Sequence, residues 1–136
     1  MSGANAFFDT HVILYLFSAD AGKANRAEEL VASGGQISVQ VLNELANVAR
    51  RKLGFSWPEV IDITTQVQVM CPVTTFTVET HARGLETARR YGLSVYDAMI
   101  VAAALLSGCA TLFTENMQDG QIIDCQLAIR NPFRSC

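Results

Sequence analysis

Hydrophobic positions along the chain fall into two kinds of segment: short uninterrupted runs that stop at a polar residue, and longer stretches with helical spacing. The most distinctive is residues 93–108, LSVYDAMIVAAALLSG, where Asp97 is the only charge between Arg90 and Glu115. The stretch after Asp97 is apolar on every side, which predicts a helix buried all round, ended by Gly108. Ser94 and Asp97, three apart, have the form of a capping box, so Asp97 falls in the first helical turn. It is then either a cap alone or a carboxylate projecting from the mouth of a buried helix into a cleft.

Elsewhere the pattern predicts a strand over 6–8 stopping at Asp9, and a short helix over 12–17 capped by Asp9 or Thr10. Next comes a helix over 23–32, broken by Ser33-Gly34-Gly35, then a strand over 36–38. Residues 39–53 have helical period with Val41, Leu45, Val48 and Ala49 on one side, and Gly54 ends them. Ser56-Trp57-Pro58-Glu59 opens a helix to about 69. Residues 71–73 form a short strand that Pro72 confines to an edge. A helix over 77–91 stops at Gly92, and strands are expected over 110–113 and 127–129. Alternating strands and helices imply an α/β domain, a three-layer α/β/α sandwich around a mainly parallel sheet, spanning 1–136 as one unit. In such sheets ligands bind beyond the carboxyl ends of the strands, where Asp9 and Glu115 fall.

Composition narrows the picture. With 136 residues, half of them hydrophobic and 17% charged, the chain has material for a core and is not disordered. A formal charge of −3 excludes a wholesale basic nucleic-acid binder, so contact with RNA or DNA would rest on local patches. Cys71, Cys109, Cys125 and Cys136 show no metal-type spacing, and a reduced, cytoplasmic protein is expected. The first residues lack the basic region of a signal peptide, and residues 98–106 are too few to span a bilayer, so no membrane association is expected.

The acids carry the chemistry. Glu44 lies on the seam between the core and solvent faces of its helix, and Asp9 is a helix cap or a ligand. None is specific alone; together they occupy a strand end, a helix seam, a helix mouth and a second strand end. Carboxylates converging on one pocket repel unless a cation lies between them, and their hard oxygens select Mg²⁺ or Mn²⁺ over zinc. His11 and His81 form no zinc spacing. Carboxylate-held Mg²⁺ suggests phosphodiester hydrolysis. Phosphate-loop, dinucleotide and nucleophile-elbow motifs are absent from the sequence.

The segments FFDTHVILYLF, VLNELANVARRK, LSVYDAMIVAAAL and LFTENMQDGQ, in that order, resemble the PIN-domain family, and within it the VapC-type ribonuclease toxins of type II toxin–antitoxin systems. The resemblance covers nearly the whole chain. It implies Mg²⁺- or Mn²⁺-dependent endoribonuclease activity leaving 5′-phosphate and 3′-hydroxyl ends, an RNA substrate, a cognate antitoxin and a homodimer. By motif match Asp9, Glu44 and Asp97 take the family's acidic positions and Thr114 its hydroxyl position. Two positions depart: His11 stands where Asn or Ser is frequent, and Asn116 where Asp is frequent. Asp9 and Asp97 are the expected metal ligands, and Glu44 orients or deprotonates the attacking water. Glu115, Asn116 or Asp119 completes the rim with Thr10 and Thr114. Arg50, Arg51, Arg89 and Arg90 at helix ends either contact RNA phosphates or complement helix dipoles, with Arg130 and Arg134 as further candidates. Phe55 and Trp57 are either interface anchors or core. Two rivals remain: a non-catalytic PIN-like module binding RNA or a protein through the acidic pocket, and a receiver-like phospho-acceptor domain, disfavoured because no lysine comes after Lys52.

Overall fold

A computed structural model describes residues 5–133, so Arg134 and Cys136 lie outside the described residues. The elements run β1 (Ala6–Phe8), α1 (Thr10–Leu14, continued by a 3₁₀ turn Tyr15–Phe17), α2 (Ala21–Ala32), β2 (Ile37–Ser38), α3 (Val39–Arg51) and α4 (Trp57–Met70). They continue with β3 (Val73–Thr74), α5 (Val78–Tyr91), α6 (Val95–Leu106), β4 (Thr111–Phe113), β5 (Ile122–Ile123) and β6 (Leu127–Arg130).

Strand order is β1-β4-β6-β5 in one ladder and β2-β3 in another, with a single parallel bridge from Phe7 to Gln36 joining them. All pairings are parallel except β5 with β6. The result is a mostly parallel central sheet flanked by helices, the α/β arrangement expected from the alternation of elements. Proline-flanked β3 pairs only with β2, at an edge.

The helix α6 is the hub of the core. Ala98 through Leu105 are all buried, which explains a sequence with no polar face. Its alanines permit close approach of neighbouring elements. On α5 the matching concession is Gly84, where an added Cβ would stand 2.3 Å from Met99 Sδ.

Strand β5 lies in a stretch where the pattern predicts only loop. Its turn to β6 passes through Asp124 (φ 53°) and Cys125 (φ 56°), left-handed positions held here by residues other than glycine. Asp124 is clamped for the purpose. Its carboxylate accepts from Arg83 at 3.0 Å and from the Tyr91 hydroxyl at 2.8 Å, and its own N–H donates to that hydroxyl at 2.9 Å. Long-range bonds to α5 thus hold a turn that has no Asn-Gly signature.

Candidate active site

Asp9 begins where β1 ends. The parallel register pairs Phe8 with Phe113, so the next residues, Asp9 and Thr114, emerge side by side at the carboxyl edge of the sheet. Asp9 is the N-cap of α1 and is 3% exposed. Its Oδ1 accepts from the Thr10 N–H at 2.7 Å, and its Oδ2 accepts from the Thr114 hydroxyl at 2.6 Å. Thr114 is fully buried and also accepts from the Asn116 N–H at 3.2 Å.

Glu44 reaches the same place from α3. Ser38 caps that helix through the Val41 N–H, and Val41, Leu45 and Ala49 bury its inner face. Glu44 is left half-buried on the seam. The Thr10 hydroxyl donates to Glu44 Oε1, so Thr10 bonds to two acids at once, by its N–H and its side chain. Gln40, one turn before Glu44, donates to Glu44 Oε2 at 3.0 Å and to the Tyr96 carbonyl at 3.2 Å, tying α3 to the first turn of α6. Asp97 sits in that first turn, its N–H bonded to the Ser94 hydroxyl at 3.2 Å.

These three carboxylates feel one another. Burial pushes the Asp9 carboxyl up; the bonds from Thr114 and Thr10 pull it down; the negative charges of Asp97 and Glu44 raise it again, and the net direction is upward. Asp97 is also raised, first by burial, with Glu44 adding to the rise and Ser94 and His11 opposing it. In both acids burial is the larger cause of the rise, and the neighbouring carboxylates add to it.

Glu115 is not gathered with these three; it is claimed by Lys23, at 3.1 Å, and by the Tyr15 hydroxyl. Burial would raise its carboxyl, but those two bonds outweigh burial and leave it lowered. Lys23 is pushed up to about 12 by Tyr15 and Glu115. Asp119 accepts from the Asn131 N–H at 2.8 Å, closing its loop onto the end of β6. Asn116 is exposed, and its amide lies 2.8 Å from His11 Nδ1. Among the described residues no three of His, Cys, Asp and Glu are placed as a ready metal cage. Asp9, Glu44 and Asp97 are within electrostatic reach, with Thr10 and Thr114 on oxygens of two of them.

The PIN domain family model matches residues 6–118. The chain belongs to the PIN domain family. No curated protein sequence matches it. Among solved structures, this PIN domain superposes on a chain of a toxin–antitoxin complex from Klebsiella pneumoniae with a TM-score of 0.71 and 22% identity, covering 93% of this chain and 97% of that one. It is similar to a chain of the DNA-bound VapBC complex from Salmonella typhimurium (TM-score 0.69, 19% identity, 95% and 98% covered). Mycobacterium tuberculosis VapC20, described as a sarcin–ricin loop cleaving toxin, gives 0.67 and 19%, with 82% and 89% covered.

The basic residues of this PIN domain are partly occupied. Arg50 donates to the Phe55 carbonyl at 3.1 Å and stacks 4.7 Å over Trp57, Arg89 pairs with Glu86, and Arg90 pairs with Asp124 at 3.4 Å. Arg51 is exposed, and Arg130 is exposed at the carboxyl end of β6, the end of the sheet that carries Asp9 and Thr114. Phe55 packs against the core, whereas Trp57 is 60% exposed. Gln40 was not among the expected site residues, although its i, i+4 relation to Glu44 is a legible helical signal. No helix among the described residues is long and apolar enough to cross a membrane.

Proposed function

We propose that this PIN domain is a divalent-cation-dependent endoribonuclease and the toxin of a toxin–antitoxin pair. The observation that carries the reading is that Asp9, Glu44 and Asp97, from the end of β1, from α3 and from α6, lie within electrostatic reach of one another, with Asp9 and Asp97 both raised by burial and by neighbouring carboxylates. Such a donor set fits a hard cation. Its carboxylate oxygens are hard ligands, and a cation shared between them offsets both the burial and the repulsion that raise two of the acids. Asp9 and Asp97 would hold Mg²⁺ or Mn²⁺, with Glu44 beside them. An ion there supplies a hydroxide nucleophile at neutral pH and polarises a phosphoryl oxygen.

The chain's own residues do the rest. Thr114 and the Thr10 N–H hold the Asp9 carboxylate in one orientation, and Gln40 holds Glu44. Glu44 accepts the proton of the attacking water. In-line attack on the phosphodiester leaves a 5′-phosphate and a 3′-hydroxyl. Exposed Arg51 and Arg130 offset the acidic cleft for a polyanion, which makes binding salt-sensitive. The kinship with chains of toxin–antitoxin complexes supports an antitoxin as partner.

The second reading is a PIN domain that binds without turnover. It is favoured by Asn116 standing where a further acid would sit, and by the absence of a ready three-ligand cage among the described residues. One assay separates the two. Purified protein is incubated with structured RNAs and Mn²⁺ or Mg²⁺, beside Asp9→Asn and Asp97→Asn. The nuclease reading expects divalent-dependent cuts with 5′-phosphate ends, lost in both variants. RNA left intact at every divalent concentration, with binding retained, supports the second reading.

A further inference from the structure

The structure puts His11 and Asn116, the two residues that stood apart in the resemblance, in contact. They come from the first turn of α1 and from the loop after β4, and their side chains meet at 2.8 Å. With the Asn116 amide nitrogen facing it, His11 Nδ1 accepts in the tautomer whose ring carries its proton on Nε2.

Both partners are anchored to the site. The Asn116 backbone N–H donates to the Thr114 hydroxyl, which donates to Asp9. His11 lies two residues beyond Asp9 on the helix that Asp9 caps. A hydrogen-bonded chain thus runs His11–Asn116–Thr114–Asp9. His11 is exposed, and its ring is near enough to Asp97 and Glu115 to act on both charges. Among the described residues Nε2 has no partner.

We propose that His11 is a substrate-contacting residue whose Nε2–H donates to a phosphodiester oxygen of RNA at the acidic cluster, and that Asn116 is the positioning residue that fixes this tautomer. The inference rests on the nuclease reading of the site. Its physical logic is charge. A fourth carboxylate at position 116 would add to the repulsion of a polyanion, whereas an amide there adds no negative charge and leaves His11 as a hydrogen-bond donor at the rim. A hydrogen bond to an ionised phosphate is among the stronger kinds.

The test uses His11→Leu, His11→Gln and Asn116→Ala in the full chain. Glutamine offers an amide N–H at a similar reach; leucine offers none. Three readouts are taken: cleavage kinetics with Mn²⁺, Mn²⁺ affinity without RNA, and RNA affinity in EDTA. Nitrogen-correlated NMR of the histidine rings reports the tautomer. His11→Leu is expected to lose about tenfold in kcat/KM and about threefold in EDTA-measured RNA affinity. His11→Gln stays within about threefold of the parent, and Mn²⁺ affinity is unchanged in both. Asn116→Ala converts the His11 signal from one tautomer to a mixture. The proposal is overturned if His11→Leu cleaves and binds as the parent does, if it loses Mn²⁺ affinity, or if the parent ring carries its proton on Nδ1. A parent protein that cuts no RNA overturns the nuclease reading instead. The EDTA affinity and the tautomer then still decide whether His11 contacts RNA.

Discussion

Replacing Thr114 with valine isolates the bond that holds Asp9. Valine has nearly the shape of threonine, so at a fully buried position it opens no cavity, and it removes only the hydroxyl. Asp9 is 3% exposed, and Oδ2 loses its donor at 2.6 Å while Oδ1 keeps the Thr10 N–H. A hydrogen bond to a buried charge contributes about 2 kcal/mol. The Asn116 N–H loses the same acceptor, which adds to the cost of the change. For a domain of this size the loss corresponds to a fall in Tm of about 8 °C. The pH dependence gives the sharper test. The Thr114 bond lowers the Asp9 carboxyl, so it stabilises the ionised form. Its contribution is complete above the Asp9 titration and is lost as pH falls through it. Urea unfolding followed by circular dichroism, without divalent ions, measures both variants at about pH 7 and about pH 4. The gap should narrow at the lower pH. A gap below about 0.5 kcal/mol at neutral pH, or one equal at both pH values, refutes the assignment.

Asp9→Asn keeps the cap, because Asn is as good an N-cap as Asp, and removes a buried charge whose carboxyl is raised. With the folded pKa above the unfolded one, the penalty is complete above the folded value and vanishes below the unfolded one. The variant is therefore expected to melt about 3 °C above the parent at neutral pH without divalent ions, and level with it in acid, while cleaving no RNA. Glu115→Gln should cleave within about threefold of the parent, because Glu115 is committed to Lys23 and Tyr15; Glu44→Gln should lose about a hundredfold or more. Gly35→Ala places a Cβ 2.5 Å from the ring of fully buried Phe8 and 3.2 Å from the Ala6 carbonyl. A cost of about 2 kcal/mol in urea unfolding is expected.

The parts of the molecule that arise from local chemistry were legible in the chain. The period of residues 39–53 and the Gly54 that follows them define α3, and the lone charge of residues 93–108 marks both the buried helix and its acid. Strand ends at Asp9 and Thr114 come from apolar runs stopping at polar residues. The features that were not legible depend on contacts distant in sequence. β5 is a two-residue strand whose turn is held by Arg83 and Tyr91 from α5, so no local pattern announces it. Glu115 reads as a site acid from its place after β4, yet Lys23, ninety-two residues earlier, takes it. The His11–Asn116 pair spans 105 residues, and each member alone looks incidental.

A nuclease of the proposed kind needs Asp9, Glu44 and Asp97 to share one cation. Titration of the metal-free protein with Mn²⁺, followed by the loss of its free-ion electron-spin signal, tests that claim without any RNA. One tight site per chain is expected, abolished by Asp9→Asn or Asp97→Asn, weakened by Glu44→Gln and untouched by Glu115→Gln. Equal Mn²⁺ binding by the parent and the Asp9→Asn and Asp97→Asn variants, or no binding by the parent at all, would contradict it.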